Sequence, residues 1–182
     1  MNSQYYDEVY KTTQKYQVSY ELSSYYPLWQ LLTAYIPRDK NIVDLGCGPG
    51  QVAELLYDLG YRNYLGLDFS EVAIDRAQNK FRDNKDFNFR HADITKSPIP
   101  FGQVYLAIEF LEHLKDDYTV IEQLPEGSIL IASVPDFMCE GHYRCFENKK
   151  DIIRKYGAFI GFNALVKFDN YYIFTGVVKD NG

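Results

Sequence analysis

Residues 41–50 read NIVDLGCGPG: an apolar run that closes on Asp44, followed by glycines at 46, 48 and 50. Glycines spaced by two can take left-handed backbone angles and let a ligand approach the main chain closely. In an open α/β sheet, ligands bind beyond the carboxyl ends of the strands, where a loop following an apolar run would sit. Two ligand classes suit such a loop. Dinucleotides prefer G-x-G-x-x-G, whose third glycine brings the next helix near the strand while its N-terminus faces a pyrophosphate. The spacing here is G-x-G-x-G, and an acid in front of it repels phosphate but suits an ammonium or sulfonium group.

Outward from that loop, short β-rich runs alternate with helical patterns, the signature of βαβ units and a mostly parallel sheet covered on both faces. The runs are NIVDL, YLGLD, FNFRHAD, QVYLAIE and SILIASV. Proline early and glycine late predict a helix from about Pro49 to Leu59. A second is predicted from Ser70 to Phe81, with Ser70 as N-cap. LEHLKDDYTVIEQL reads as helical up to the turn PEG, and ENKKDIIRKYG as another helix. The aromatic runs AFIGFNALVKFD and NYYIFTGVVK, parted by Asp169 and Asn170, predict an antiparallel hairpin at the sheet edge. Residues 1–39 form a tyrosine-rich, helix-leaning cap whose Leu28, Leu31, Leu32 and Tyr35 can pack on the core of residues 40–182.

The chain has 182 residues, enough for one well-buried domain and short for two. A formal charge of −6 argues against broad capture of duplex nucleic acid or of an anionic membrane. The start MNSQYYDEVYKTTQ has neither a basic end nor an apolar core, so a cytoplasmic address is expected. Three cysteines, Cys47, Cys139 and Cys145, with no C-x-x-C pair, imply reduced thiols. The C-x-x-H-x-x-C formed by Cys139, His142 and Cys145 lacks a fourth ligand for structural zinc.

With its companions, VDLGCGPG resembles the first motif of the class I S-adenosylmethionine-dependent methyltransferases: an acid, an apolar residue, then G-x-G-x-G. The resemblance implies a Rossmann-like three-layer sandwich with a seven-stranded, mostly parallel sheet whose last strand is antiparallel. It implies a cofactor site made of Asp44, Gly46, Cys47, Gly48 and Gly50, with Asp68 accepting from the ribose hydroxyls and Phe69 against the adenine. Asp93 would take the adenine amino group, with the Ala92 and Ile94 backbone nearby, and Glu109 would border the cofactor.

A second constellation, AIEFLEHL, sets Glu109, Glu112 and His113 at i, i+3 and i+4, one face if a helix begins there. His142 could add a fourth ligand for a divalent cation such as Mg2+. E-x-x-E-H with a later histidine resembles two metal-using branches of the family, one acting on phenolic hydroxyls and one on the 2′-hydroxyl of small RNAs. The same residues could instead serve without metal, with His113 as general base and Glu112 at a helix start. The expected activity is therefore methyl transfer to a small-molecule acceptor, with oxygen preferred. A metal-dependent RNA methyltransferase, a non-catalytic cofactor-binding subunit and a nicotinamide-dependent oxidoreductase are the alternatives. A homodimer that completes the site is a further expectation.

Overall fold

The computed structural model describes residues 3–180. Helices α1 (Ser3–Thr12) and α2 (Tyr26–Thr33), separated by two 3-10 turns, precede the alternating part of the chain. There follow β1 (Ile42–Leu45), α3 (Gln51–Asp58), β2 (Tyr64–Asp68), α4 (Glu71–Lys80), β3 (Phe87–His91) and β4 (Val104–Ile108). A 3-10 turn at Leu111–His113 leads to α5 (Tyr118–Ile121), β5 (Ile129–Pro135), α6 (Lys149–Tyr156), β6 (Ile160–Phe168) and β7 (Tyr171–Val178). The strand order is β3-β2-β1-β4-β5-β7-β6, with β7 antiparallel to both neighbours. This is a Rossmann-like mixed sheet, and its strand order reverses between β1 and β4. That reversal opens a crevice at their carboxyl ends.

Alternation along the central strands builds two cores. Val104, Leu106 and Ile108 face one core with Leu32, Leu56 and Ile74, while Tyr105 and Ala107 face the other with Ile121 and Ile152. A period of two on strands buried on both faces explains why β1 and β4 read as continuous apolar runs. Ser70 caps α4 by accepting from the Ala73 amide, as expected. Helix α3 begins at Gln51 rather than Pro49, because Gly50 is left-handed at φ +81° and lies outside it.

One expected helix is broken. LEHLKDDYTVIEQL forms only the 3-10 turn and the four-residue α5, with Leu114 extended between them. The guanidinium of Arg144 donates to the carbonyls of Leu111 and Lys115, acceptors that a continuous helix would have kept for itself. Glu109 follows β4 directly with φ +51°, so it does not share a helical face with Glu112 and His113.

The N-terminal segment packs and also covers the crevice. Helix α2 buries Leu28, Trp29 and Leu32, with Leu31 and Tyr35 half-buried beside them. Helix α1 lies near the carboxyl ends of the strands. Asp7 accepts from the Ser70 hydroxyl and the Val72 amide, Arg76 donates to the Tyr10 carbonyl, and Gln51 donates to the Lys15 and Val18 carbonyls. No helix among the described residues is long and apolar enough to cross a membrane.

Candidate active site

The glycine loop is fastened to the neighbouring strand by its own amides. Gly46 and Cys47 donate to the Leu67 carbonyl at 2.8 and 3.0 Å, and Gly48 donates to Asp68 Oδ2 at 2.9 Å. Gly46, at φ +77°, has no room for a side chain: a Cβ there would stand 2.4 Å from the Phe110 ring. Gly50 serves packing instead, since a Cβ there would press on Ala77 of α4 and on Phe89.

Asp68 closes β2 and is buried. Its Oδ1 accepts from the Ser70 amide at 2.8 Å and its Oδ2 from Gly48, which leaves further lone pairs on both oxygens. It lines a cavity of about 430 Å3 together with Gly46, Phe69, Ala92, Asp93 and Ile94. With Glu109, which lines the same cavity, seven of the residues expected at the cofactor are therefore brought together. Asp93 accepts from the Thr95 amide and hydroxyl and pairs with Lys96 at 2.7 Å. Burial works against its charge, but the bonds from Lys96 and Thr95 win and hold its carboxyl below the ordinary range.

Four expected cofactor residues sit elsewhere. Asp44 lines neither this cavity nor the next, because its carboxylate turns into the sheet and accepts from the Tyr64 hydroxyl. Gly50 also lies behind the loop, and Cys47 and Gly48 line only the second cavity. A β-strand sends successive side chains to opposite faces, and nothing in the sequence alone says which face Asp44 takes.

The second cavity, about 330 Å3, adjoins the first and shares with it Tyr6, Tyr10, Tyr16, Gly46, Glu109 and His113. Glu109 Oε1 accepts from the Ser133 hydroxyl at 2.8 Å, and the Glu109 amide donates to the same hydroxyl. His113 Nδ1 lies 3.0 Å from the Gly141 carbonyl and 2.9 Å from the Tyr6 hydroxyl. A carbonyl can only accept, so Nδ1 carries the hydrogen and Nε2 is left with a free lone pair. Burial depresses His113 to about 4, which keeps the ring neutral at pH 7.

Glu112, His113 and His142 bring ligand atoms within 4.8 Å of one another. Glu112 is fully buried, and neither of its carboxylate oxygens has a hydrogen-bond partner. Burial, with Glu109 adding to it, pushes its carboxyl well above the usual range. Glu109, anticipated as a ligand beside Glu112 and His113, lies outside this group because the positive φ just after β4 turns it toward Ser133. Cys139 Sγ approaches His142 Nε2 at 3.1 Å, and Cys145 is not part of the cluster.

Tyr6, Tyr10, Tyr16 and Lys15 were not singled out by the sequence, yet all line the site. Of Tyr20, Tyr25 and Tyr26, only Tyr25 does so. Tyr20 instead donates to Asp58, and Tyr26 accepts from Gln30. The i, i+4 spacing of Tyr6 and Tyr10 was the one available signal, since it places both on one face of α1.

Burial also sets a pH dependence. It raises Asp44 to about 7, against the opposing bond from Tyr64, and Glu109 to about 7. An acid whose folded pKa is raised contributes stability that is full below its unfolded pKa and is lost as pH rises through the folded value. For Asp44 that window runs from about pH 4 to pH 7. His113 acts in the opposite sense, its contribution being lost as pH falls from about 6.5 to about 4. Asp44→Asn keeps the side chain's shape and removes one titration. Urea unfolding at pH 5 and pH 8 is expected to show the variant gaining about 2 kcal/mol on wild type between them. A pH-independent difference would contradict the burial of a titrating Asp44.

A methyltransferase domain family model matches residues 42–124. The chain is 32% identical over 87 residues to the eEF1A lysine and N-terminal methyltransferase of Danio rerio, covering 47% of this chain and 12% of that protein. It is 30% identical over 117 residues to the trans-aconitate 2-methyltransferase of Agrobacterium fabrum, covering 60% and 44%. The chain spans from about a tenth to a half of the length of the curated relatives it matches. Among solved structures, the 1,6-didemethyltoxoflavin-N1-methyltransferase of Burkholderia thailandensis superposes with a TM-score of 0.77 at 14% identity, covering 98% of this chain and 87% of that one. That structure holds S-adenosylhomocysteine. The glycine loop, the strand order and these likenesses agree: residues 42–124 match a methyltransferase domain, and the chain is similar to the S-adenosylmethionine-dependent methyltransferases.

Proposed function

We propose that this chain transfers a methyl group from S-adenosylmethionine to a hydroxyl of a small molecule, residues 1–39 capping a methyltransferase core of residues 40–182. The observation that carries the reading is the meeting of two cavities at Gly46, Glu109 and His113. The larger one fits the nucleoside of the cofactor: Asp68, held by two amides, keeps lone pairs for ribose hydroxyls, and Phe69 and Ile94 offer apolar walls. When bound, the cofactor supplies an electrophilic methyl on a cationic sulfur. The chain's own task is alignment and exclusion of water, which α1 serves by laying Tyr6 and Tyr10 over the junction. His113 Nε2, neutral and bare, takes the proton of an acceptor hydroxyl.

A net charge of −6 speaks against RNA as the acceptor, and the G-x-G-x-G loop against a nicotinamide dinucleotide. The test uses methyl-labelled S-adenosylmethionine with the low-molecular-mass fraction of a cell extract. Label in a small molecule, with an equal amount of S-adenosylhomocysteine formed, is the expected result. Label confined to protein or RNA, or none transferred, would overturn the reading.

A second reading is favoured by Glu112. A buried carboxylate with no partner is costly unless it is protonated or binds a cation. With His113 and His142 it offers one oxygen and two nitrogens, a donor set that fits a divalent metal. The metal would then lower the pKa of a bound hydroxyl in place of the histidine base. Chelation followed by dialysis is expected to leave turnover unchanged if His113 acts alone, and to abolish it, with recovery on adding Mg2+ or Mn2+, if the cluster is a metal site.

A further inference from the structure

Six rings line the second cavity in unbroken succession. Centroid separations are 6.0 Å for Tyr25 and Tyr171, 5.6 Å for Tyr171 and Phe137, and 5.7 Å for Phe137 and His142. They continue at 4.8 Å for His142 and His113 and 5.8 Å for His113 and Tyr6. Most of these contacts are edge-on or tilted, so the wall presents both ring faces and ring edges to the cavity. That is the arrangement in which one more flat ring gains the most.

A single cation stands at this wall. Lys15 is the only lysine or arginine lining the cavity among the described residues. Its Nζ lies 4.8 Å from the Tyr16 centroid and 5.3 Å from that of Tyr25, and it donates to the Tyr25 hydroxyl at 3.4 Å. None of the ion pairs among the described residues includes it. Held by ring faces and one neutral hydroxyl, the ammonium keeps donors free for an anion.

We propose that the second cavity recognises a planar aromatic acid as the methyl acceptor, its ring against the Tyr25–Tyr6 wall and its acid group on Lys15. This rests on the methyltransferase reading above and names the substrate class for that site. A cavity of about 330 Å3 is at the small end of ligand sites, which suits one or two rings. The transfer balances. The ring hydroxyl's oxygen bonds to the methyl carbon, the carbon–sulfur pair stays on sulfur, and the hydroxyl proton goes to His113.

The test measures binding to the S-adenosylhomocysteine-loaded protein by calorimetry. Probes are 4-hydroxybenzoate, salicylate and caffeate, their neutral amides, and cyclohexanecarboxylate. At least one aromatic acid is expected to bind about tenfold tighter than its amide and than cyclohexanecarboxylate. Lys15→Met, at an exposed position, should erase the preference over the amide while leaving the fold intact. Equal binding of acid and amide, equal binding of the non-aromatic acid, or no binding of any aromatic acid would overturn the proposal. The cofactor's own carboxylate is a second source of the same chemistry. If Lys15→Met weakens S-adenosylhomocysteine but not 5′-methylthioadenosine, Lys15 belongs to the cofactor and the proposal falls. Failure of the wild type to bind S-adenosylhomocysteine at all would instead overturn the methyltransferase reading.

Discussion

Replacing Asp68 by alanine is expected to weaken S-adenosylhomocysteine binding by about a hundredfold. The carboxylate has two duties: it accepts the Gly48 and Ser70 amides, and it turns its remaining lone pairs to the larger cavity. Hydrogen bonds to a charged group contribute about 1.5–3 kcal/mol each, so losing the acceptors for two ribose hydroxyls costs about 3 kcal/mol. That figure is about two decades in the dissociation constant. The pKa of Asp68, raised to about 6 by burial against the opposing bonds from the Ser70 and Gly48 amides, still leaves it ionised at pH 7.5. Calorimetry at that pH, with circular dichroism to confirm folding, checks the prediction. An affinity within threefold of wild type would remove Asp68 from the site, the "threefold" being about the 0.7 kcal/mol below which no charged hydrogen bond was lost.

Gly46→Ala should be strongly damaging. A Cβ there would stand 2.4 Å from a ring carbon of Phe110, and the backbone is at φ +77°. Left-handed geometry costs a non-glycine residue about 1–2 kcal/mol, and forcing a methyl into packed surroundings about 1–3 more. Phe110 lines the larger cavity, so a displaced ring also enters the cofactor's space. Loss of about 3 kcal/mol in stability should therefore accompany loss of S-adenosylhomocysteine binding. Gly60→Ala separates the two causes: Gly60 has φ +84° and nothing within 4 Å of its added Cβ, so only the backbone term applies. Thermal unfolding of both variants should place Gly46→Ala well below Gly60→Ala. Equal midpoints would show that Phe110 gives way freely.

The loop at 46–50, the five parallel strands and the closing hairpin were legible because each is a local pattern: alternation, a glycine spacing, two turn residues. The acid at the end of β2 was legible for the same reason, since Asp68 follows its apolar run directly, whereas Asp93 lies two residues beyond the end of β3. What escaped were interactions at long sequence separation. The helix break at Leu114 depends on Arg144, thirty residues on, taking the carbonyls of Leu111 and Lys115. The inward turn of Asp44 depends on a tyrosine of the neighbouring strand. Tyr6 and Lys15 reach the site only because Asp7, Arg76 and Gln51 fasten residues 3–18 across it. In AIEFLEHL the expected common face did not form: Glu112 and His113 lie beside His142, while Glu109 turns to Ser133.

Everything proposed for the site requires the crevice above β1 and β4 to take a sulfonium nucleoside rather than a dinucleotide. Calorimetric titration of the wild-type chain with S-adenosylhomocysteine and, separately, with NADH tests it most directly. Saturable binding of one S-adenosylhomocysteine per chain and no heat from NADH are expected. No heat from S-adenosylhomocysteine, or comparable binding of NADH, would contradict it.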